Sequence, residues 1–495
     1  MTVWNLAAKA ITAVNVLCFL TLNKRCYALD NGLTQTPPMG WLSWTRFMCN
    51  IDCLKYPNYC IREDLFIEMA SILVDEGYAA AGYTQLNIDD CWTTKTRSSD
   101  GKLTADPERF SHGIPWLSEQ VHDKGLKFGI YSNFGKRSCM GFTGTTSEDF
   151  VTDARTFASW NVDMFKFDAC FNKPENLGDA YKGMFKALND TGRPMVFSCS
   201  WPYYLLTHDI EPPYDEIVQY CNMWRNYHDI AISFKSIRAI IQFYDKHGAN
   251  LAQYHKPGQW NDPDMLVIGN PGISVAEAKV QMAFWCLWSA PLLMSNDLRD
   301  MAPGHKEILL NEDLIAINQD PLGKMGLKVF KQEGIDFYLK PIIPVSKSYV
   351  GDHYSYVVLL FNVHETRPVS TKFDMRDVLE KGNVMLDKSV LCYTMNEIFS
   401  SIEDPVKICV HKSVALSENS LISTAIGPNE VVVYKLISLP INPSLSSVLA
   451  GSDLGSLLVH LQGPLLIIGF IALLIIFRRK CPFKLRIRGG RVFFI

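Results

Sequence analysis

Aspartates mark the ends of short apolar runs in the first 300 residues: Asp89 and Asp90 together, Asp168 just after Lys166, Asp229 beyond Arg225, then Asp262 and Asp264. Trp44, Trp92, Trp201 and Trp224 stand near them in sequence, and Tyr131 ends a further run. Paired carboxylates can break a glycosidic bond, one as acid and one as nucleophile or base. Aromatic rings stack on the less polar face of a sugar. Lys166 and Arg225 bring positive charge that helps keep a nucleophilic carboxylate ionised. Any one of these aspartates would serve equally well as the cap of a following helix. The set goes beyond capping, because caps need no matching Lys, Arg and aromatic residues. No GxSxG elbow, HExxH pair or P-loop occurs in the sequence, which removes serine-hydrolase, zinc-protease and nucleotide readings.

The segments that must position these residues alternate in character. Eight β-branched or aromatic runs fall at 40–44, 83–90, 126–132, 162–168, 194–201, 220–225, 259–265 and 291–297. Between them lie helical patterns, such as Leu65, Met69, Ile72 and Leu73 with Gly77 as the stop, or Ile237, Ile240, Ile241 and Tyr244 ending at Gly248. Eight strand–helix repeats predict a closed parallel (β/α)8 barrel, whose working residues sit at the C-terminal strand ends. An open doubly wound sheet is the competing arrangement, but the Gly-rich phosphate turn it would carry is missing from the sequence. After about residue 325 the pattern changes to strand-like runs separated by Pro, Gly, Asn and Ser, which predicts an antiparallel β-sandwich domain over 326–439. The barrel is then expected over 29–325.

With 48% hydrophobic and 20% charged residues and a net charge of −3, the 495-residue chain has a globular balance and no basic field to gather nucleic acid. The apolar run after Lys9, with the small residue Ala28 following, reads as a signal peptide over 1–28. A Ser-, Pro- and Gly-containing linker at 440–456 leads to an apolar stretch at 457–477 and a basic tail at 478–495, the pattern of a transmembrane helix with a cytoplasmic tail. A lipid-anchor signal would lack that charged tail. Fourteen cysteines behind a signal peptide favour disulfides. A metal site at Cys49 and Cys53 lacks companion ligands, so neither metal nor cofactor is expected. Cys286 reads as a buried free thiol, Cys392 and Cys409 are able to pair, and Asn189 in Asn189-Asp190-Thr191 is a glycosylation acceptor. A membrane-anchored chain with its catalytic part in the lysosomal lumen or at the cell surface is the localisation these features predict.

Six ordered motifs carry a resemblance. They are the stretch from Thr36 to Trp44, Asn87 to Trp92, Lys166 to Cys170, Ser198 to Pro202, Trp224-Arg225-Asn226 and Trp260 to Met265. Together they closely resemble the animal lysosomal α-galactosidase and α-N-acetylgalactosaminidase family of retaining glycosidases, densely over 29–322. The resemblance implies that Asp168 is the nucleophile and Asp229 the acid and base, with carboxyls about 5–5.5 Å apart. It implies that Asp89 and Asp90 bind the 4- and 6-hydroxyls, Lys166 the 3- and 4-hydroxyls, and Arg225 those nearer the reacting carbon. Trp44 would form the pocket floor, with Tyr131, Asp264 and Met265 around it. It also implies the disulfides Cys49–Cys91, Cys53–Cys60, Cys139–Cys170 and Cys199–Cys221, and homodimers are common among relatives. In this family a Glu with a Leu favours a 2-hydroxyl, whereas a Ser with an Ala leaves room for an N-acetyl group. Ser200 and Tyr203 stand at those two positions, so the small residue points to the acetylated sugar while the large one would fill its space. The competing function, a catalytically silent galactose-binding protein held at the membrane, sits poorly with the presence of both Asp168 and Asp229.

Overall fold

The computed structural model describes residues 29, 31–348, 351–386, 390–400, 404–413, 415, 417–440, 485–488 and 491–494. Each of the eight apolar runs contributes one short parallel strand: β1 (Met39–Leu42), β2 (Gln85–Asn87), β3 (Lys127–Asn133), β4 (Met164–Asp168), β5 (Val196–Cys199), β6 (Met223–Arg225), β7 (Trp260–Asp262) and β8 (Leu292–Met294). The strands pair in the order β7-β6-β5-β4-β3-β2-β1-β8. The last seam closes through Leu266, whose N–H donates to the Leu293 carbonyl and whose carbonyl accepts from Ser295 N–H, both at 2.8 Å. The strands are shorter than the apolar runs because the chain leaves the ladder where it builds the mouth. Asp89 and Asp90, for instance, lie beyond the end of β2.

Small residues let the barrel interior fill. Gly129 in β3 leaves room for the Asn87 side chain, whose amide donates to the Trp41 carbonyl at 3.1 Å and accepts from Gln85 at 3.1 Å. Outside, the helix Glu63–Asp75 buries Leu65, Phe66, Met69, Ala70 and Leu73, with Phe66 joining the expected inner face and Ile72 half-buried against the core at its edge. The helix Phe234–Leu251 buries Ile237, Ile240, Ile241 and Tyr244 as its periodicity predicts, yet it does not stop at Gly248. Gly248 lies inside it, where a Cβ would press on Leu327 at 3.3 Å. This glycine therefore serves close packing rather than helix termination.

Eight antiparallel strands follow: β9 (Leu327–Gln332), β10 (Ile335–Ser348), β11 (Gly351–Asn362), β12 (Val369–Asp374), β13 (Leu391–Glu397), β14 (Val406–Val410), β15 (Leu421–Ile426) and β16 (Val431–Ser438). Six form one sheet in the order β14-β13-β16-β11-β10-β9, and β12 pairs with β15. Cys392 and Cys409 face each other across β13 and β14 and are joined. Alternation along β11 divides its side chains between two cores, as a period of two requires. Val358 and Leu360 point into the β domain, while Val357, Leu359 and Phe361 pack with the barrel. Phe284, on the buried helix Val275–Leu287, meets Tyr338 and Phe361 edge-on at 5.0 and 5.4 Å.

One polar group is sealed into this junction. Lys340 in β10 is fully buried and donates to the Cys286 and Ile317 carbonyls and to Ser289 Oγ at 2.6–2.8 Å. Three acceptors match the three N–H bonds of an ammonium. Lys340→Ala is expected to destabilise the fold by about 2–4 kcal/mol, through a cavity and unpaired acceptors. A thermal-melting midpoint unchanged from wild type would contradict this.

Residues 442–495 form a separate unit, in which Leu485–Arg488 pairs antiparallel with Arg491–Phe494. The expected signal segment at 1–28 and the apolar stretch at 457–477 lie outside the described residues. Among the described residues no helix is long and apolar enough to cross a membrane.

Candidate active site

The C-terminal ends of the strands converge on a narrow cavity of about 130 Å³. Its walls include Trp44, Asp89, Asp90, Tyr131, Lys166, Asp168, Ser200, Tyr203, Arg225 and Asp229, ten of the sequence-derived site residues. A larger cavity of about 550 Å³ opens at the opposite end of the barrel and carries none of them.

Register explains the gathering. In the parallel ladder, Tyr131 of β3 stands beside Lys166 of β4, and Lys166 beside Ser198 of β5, so alternate residues of neighbouring strands share the inward face. Lys166 Nζ contacts Asp89 Oδ2 at 2.6 Å and lies 5.4 Å from the centre of the Tyr131 ring. Burial disfavours the ammonium, but Asp89, Asp168 and Asp229 around it outweigh that and hold it charged. Asp89 also accepts from the Asp90 N–H at 2.8 Å. Asp90 accepts from the Cys91 and Met140 N–H groups at 2.6 and 2.9 Å. Burial nevertheless pushes the Asp90 carboxyl up to about 6, against these hydrogen bonds.

The two carboxyls of most interest occupy different environments. Asp168 closes β4 and accepts a hydrogen bond from Ser200 Oγ. Burial raises its pKa above the ordinary aspartate value, the nearby charges of Asp229 and Asp89 add to the rise, and Lys166 opposes it. Asp229 sits on the turn after β6, with its side chain 57% exposed and Oδ1 3.1 Å from the Arg225 guanidinium. Partial desolvation by the surrounding wall would raise its pKa, but Arg225 and Lys166 outweigh it and hold the carboxyl below the ordinary value.

Six expected placements differ from what the structure shows. Trp92, Trp201 and Trp224 are buried in the core and do not line the cavity: Trp224 lies within β6, and Trp92 and Trp201 follow β2 and β5 with their indoles packed in the core. Trp92 donates to the Tyr131 carbonyl at 2.9 Å and Trp224 to Asn261 at 2.8 Å. Trp44 alone of the four lines the cavity. Asp262, Asp264 and Met265 line a small void beneath it instead. There Asp264 pairs with Arg225 at 2.9 Å and accepts from the Ile230 N–H at 2.7 Å, so it braces the guanidinium from below. Burial pushes its carboxyl up to about 7.

Other contributors escape sequence reasoning. Cys139 and Cys170 are bonded to each other and form part of the cavity wall, where their sulfurs accept from Tyr131 OH at 3.2 Å and Tyr204 OH at 3.0 Å. Only the doubled tyrosine after Trp201-Pro202 hints at Tyr204. His228 bonds Tyr203 OH through Nδ1 at 3.2 Å. The implied pairs Cys49–Cys91, Cys53–Cys60 and Cys199–Cys221 are also closed, and Cys286 is free and buried. Met48, Cys91, Phe171 and Asp264 adopt positive φ, which is uncommon away from glycine. Three of the four are at or next to a bridged cysteine, so covalent ties hold the loops of the mouth in these conformations.

Known proteins match this arrangement. The family model described as alpha galactosidase A (Melibiase_2) matches residues 36–320. Alpha-galactosidase A of Homo sapiens is 51% identical over 316 residues, covering 64% of this chain and 73% of that protein. Alpha-N-acetylgalactosaminidase of Mus musculus is 44% identical over 392 residues, covering 79% and 92%. The crystal structure of alpha-galactosidase I from Mortierella vinacea superposes with a TM-score of 0.70 at 26% identity, covering 83% of this chain and 99% of that one. With motifs, barrel and sequence in agreement over the whole catalytic region, the chain belongs to the alpha galactosidase A (Melibiase_2) family and is a glycoside hydrolase.

Proposed function

We propose that the chain is a retaining exo-glycosidase that removes terminal α-linked galactose, or its N-acetylated counterpart, from oligosaccharides, glycolipids or glycoproteins. The observation that carries this reading is the single narrow cavity shared by Asp168, Asp229, Lys166, Arg225, Asp89 and Asp90. Asp89, Asp90 and Lys166 hold the ring hydroxyls, and Trp44 supports the ring. Asp168 attacks the anomeric carbon as the bond to the leaving oxygen breaks, and the proton of Asp229 passes to that oxygen. Water then gives a proton back to Asp229 and its oxygen to the anomeric carbon, which frees the Asp168 carboxylate. Passage through the secretory pathway accords with the disulfides and the exposed sequon at Asn189. A silent binding role is disfavoured, because both carboxyls face the cavity.

Tyr203 decides between the two sugars. Its hydroxyl is tied to His228 and its ring packs on Tyr204 at 5.0 Å, which fixes it in the cavity wall at the position that the family resemblance assigns to reading the substituent on C2. The Ser200 hydroxyl is turned to Asp168. The full chain should therefore cleave nitrophenyl α-galactoside with higher kcat/KM than the N-acetylgalactosaminide, and Tyr203→Ala should shift that ratio at least about tenfold toward the acetylated sugar. A wild-type preference for the acetylated substrate would show that Tyr203 swings aside and that Ser200 sets the pocket.

A further inference from the structure

Two apolar side chains stand out from the rim of the sugar cavity into solvent. Phe171 is 83% exposed and Met140 is 47% exposed. They directly follow Cys170 and Cys139, so the bridge between those cysteines sets both on one stretch of the rim. The loops that carry them are pinned. The Met140 N–H donates to Asp90 at 2.9 Å while its side chain projects, and the Asn172 amide ties the other loop to the Phe134 and Cys170 carbonyls. Phe171 also has φ 65°, a left-handed backbone that a bulky residue seldom adopts. Both loops are thus fixed with an apolar side chain outward, an arrangement that stabilises nothing inside the chain.

The same stretch of rim is positive. Lys136 and Arg137 precede Cys139, Lys173 follows Cys170, and all three are exposed. Neither Lys136 nor Arg137 enters an ion pair among the described residues, and Lys173 only grazes Glu175 at 4.0 Å.

We propose that this rim docks on a lipid bilayer with anionic headgroups, Phe171 and Met140 inserting at the headgroup level and the three cations lying against phosphates. Apolar tips flanked by Lys and Arg suit the membrane interface, and each cation near an anionic surface strengthens binding about fivefold. A protein partner would need roughly 800 Å² of matching surface, which two apolar side chains do not supply. Because the Cys139–Cys170 bridge is also cavity wall, docking brings the mouth to the bilayer, where the terminal sugar of a membrane-held glycolipid stands. That choice of substrate rests on the hydrolase reading, whereas the docking itself does not.

Two readouts on the full chain with mixed phosphatidylcholine–phosphatidylserine vesicles test this. In the first, Phe171→Trp places an indole at the rim. Brominated lipid should quench this variant more than it quenches wild type, and added salt should weaken the difference. No additional quenching would overturn the proposal, whatever the activity of the chain. In the second, the vesicles carry an α-galactosyl lipid. Phe171→Asn should lower its cleavage about tenfold, the size expected when one inserted aromatic side chain is lost. Joint reversal by Lys136→Glu and Arg137→Glu should lower it at least as much. Turnover of nitrophenyl α-galactoside should match wild type in both variants, and asparagine adopts positive φ more readily than phenylalanine, so misfolding does not account for the first loss. Equal losses on both substrates would mean that these residues only support the fold. Unchanged cleavage of the lipid would mean that the rim faces something other than a membrane, such as a protein; either result overturns the proposal. A chain that is quenched yet cleaves neither substrate would overturn the hydrolase reading and leave the docking standing.

Discussion

Asp168→Asn is expected to lower kcat by roughly 10⁴–10⁶-fold, the range seen when a covalent nucleophile is removed. The carboxyl closes β4 beside Lys166 and in reach of Ser200. An amide of the same shape can keep the hydrogen bond from Ser200 but cannot form the glycosyl ester, so the fold should survive while the chemistry stops. Adding azide to Asp168→Gly gives a sharper test, because a small anion entering the vacated space should yield a glycosyl azide of inverted configuration. Wild type should release its sugar first as the α anomer. Release of the β anomer, or full activity of Asp168→Asn, would remove the double-displacement mechanism.

Asp229→Asn carries the second large effect, a fall in kcat/KM of about 10²–10⁴-fold on a disaccharide, the usual contribution of a positioned acid. A glycosyl fluoride, whose leaving group needs little protonation, should be much less affected. The sign of the pH dependence follows from the two environments. Burial raises Asp168, whereas Arg225 and Lys166 lower Asp229. In the empty site the first proton therefore goes to Asp168, and the productive form, with Asp168 ionised and Asp229 protonated, is the minority arrangement. A second proton ends activity at low pH, and loss of the only proton ends it at high pH. The kcat/KM of wild type should thus be bell-shaped, with limbs on either side of the ordinary aspartate value. With Asp229→Asn only the ionisation of Asp168 remains, so fluoride turnover should rise once with pH and then stay level. The midpoint of that rise should lie below the alkaline limb of wild type, because the negative charge of Asp229 no longer opposes ionisation of Asp168. An alkaline fall persisting in this variant would show that another group is the acid.

The order and number of barrel strands were legible because each strand lies in a short, largely buried run, and three of them end in a charged residue, Asp168, Arg225 and Asp262. Less legible was which side of a strand end a bulky ring takes. Trp44 and Trp92 look alike in sequence, but Trp44 opens a short helix at the cavity while Trp92 turns its indole N–H inward to the Tyr131 carbonyl. Asp264 looked like a pocket residue because it follows β7 closely, yet its positive φ turns the carboxyl under Arg225. Gly248 was misleading for a different reason. Glycine after a helical pattern usually ends it, and only the approach of Leu327, some eighty residues later, shows why a side chain is excluded there. Such long-range causes leave no local mark.

The bridge between Cys139 and Cys170 serves as part of the cavity wall, and two tyrosine hydroxyls rest on its sulfurs. Catalytic competence is thereby tied to the oxidation history of the polypeptide. A chain kept in a reducing environment could fold its barrel and still present an unfinished pocket, so turnover would register maturation as well as synthesis.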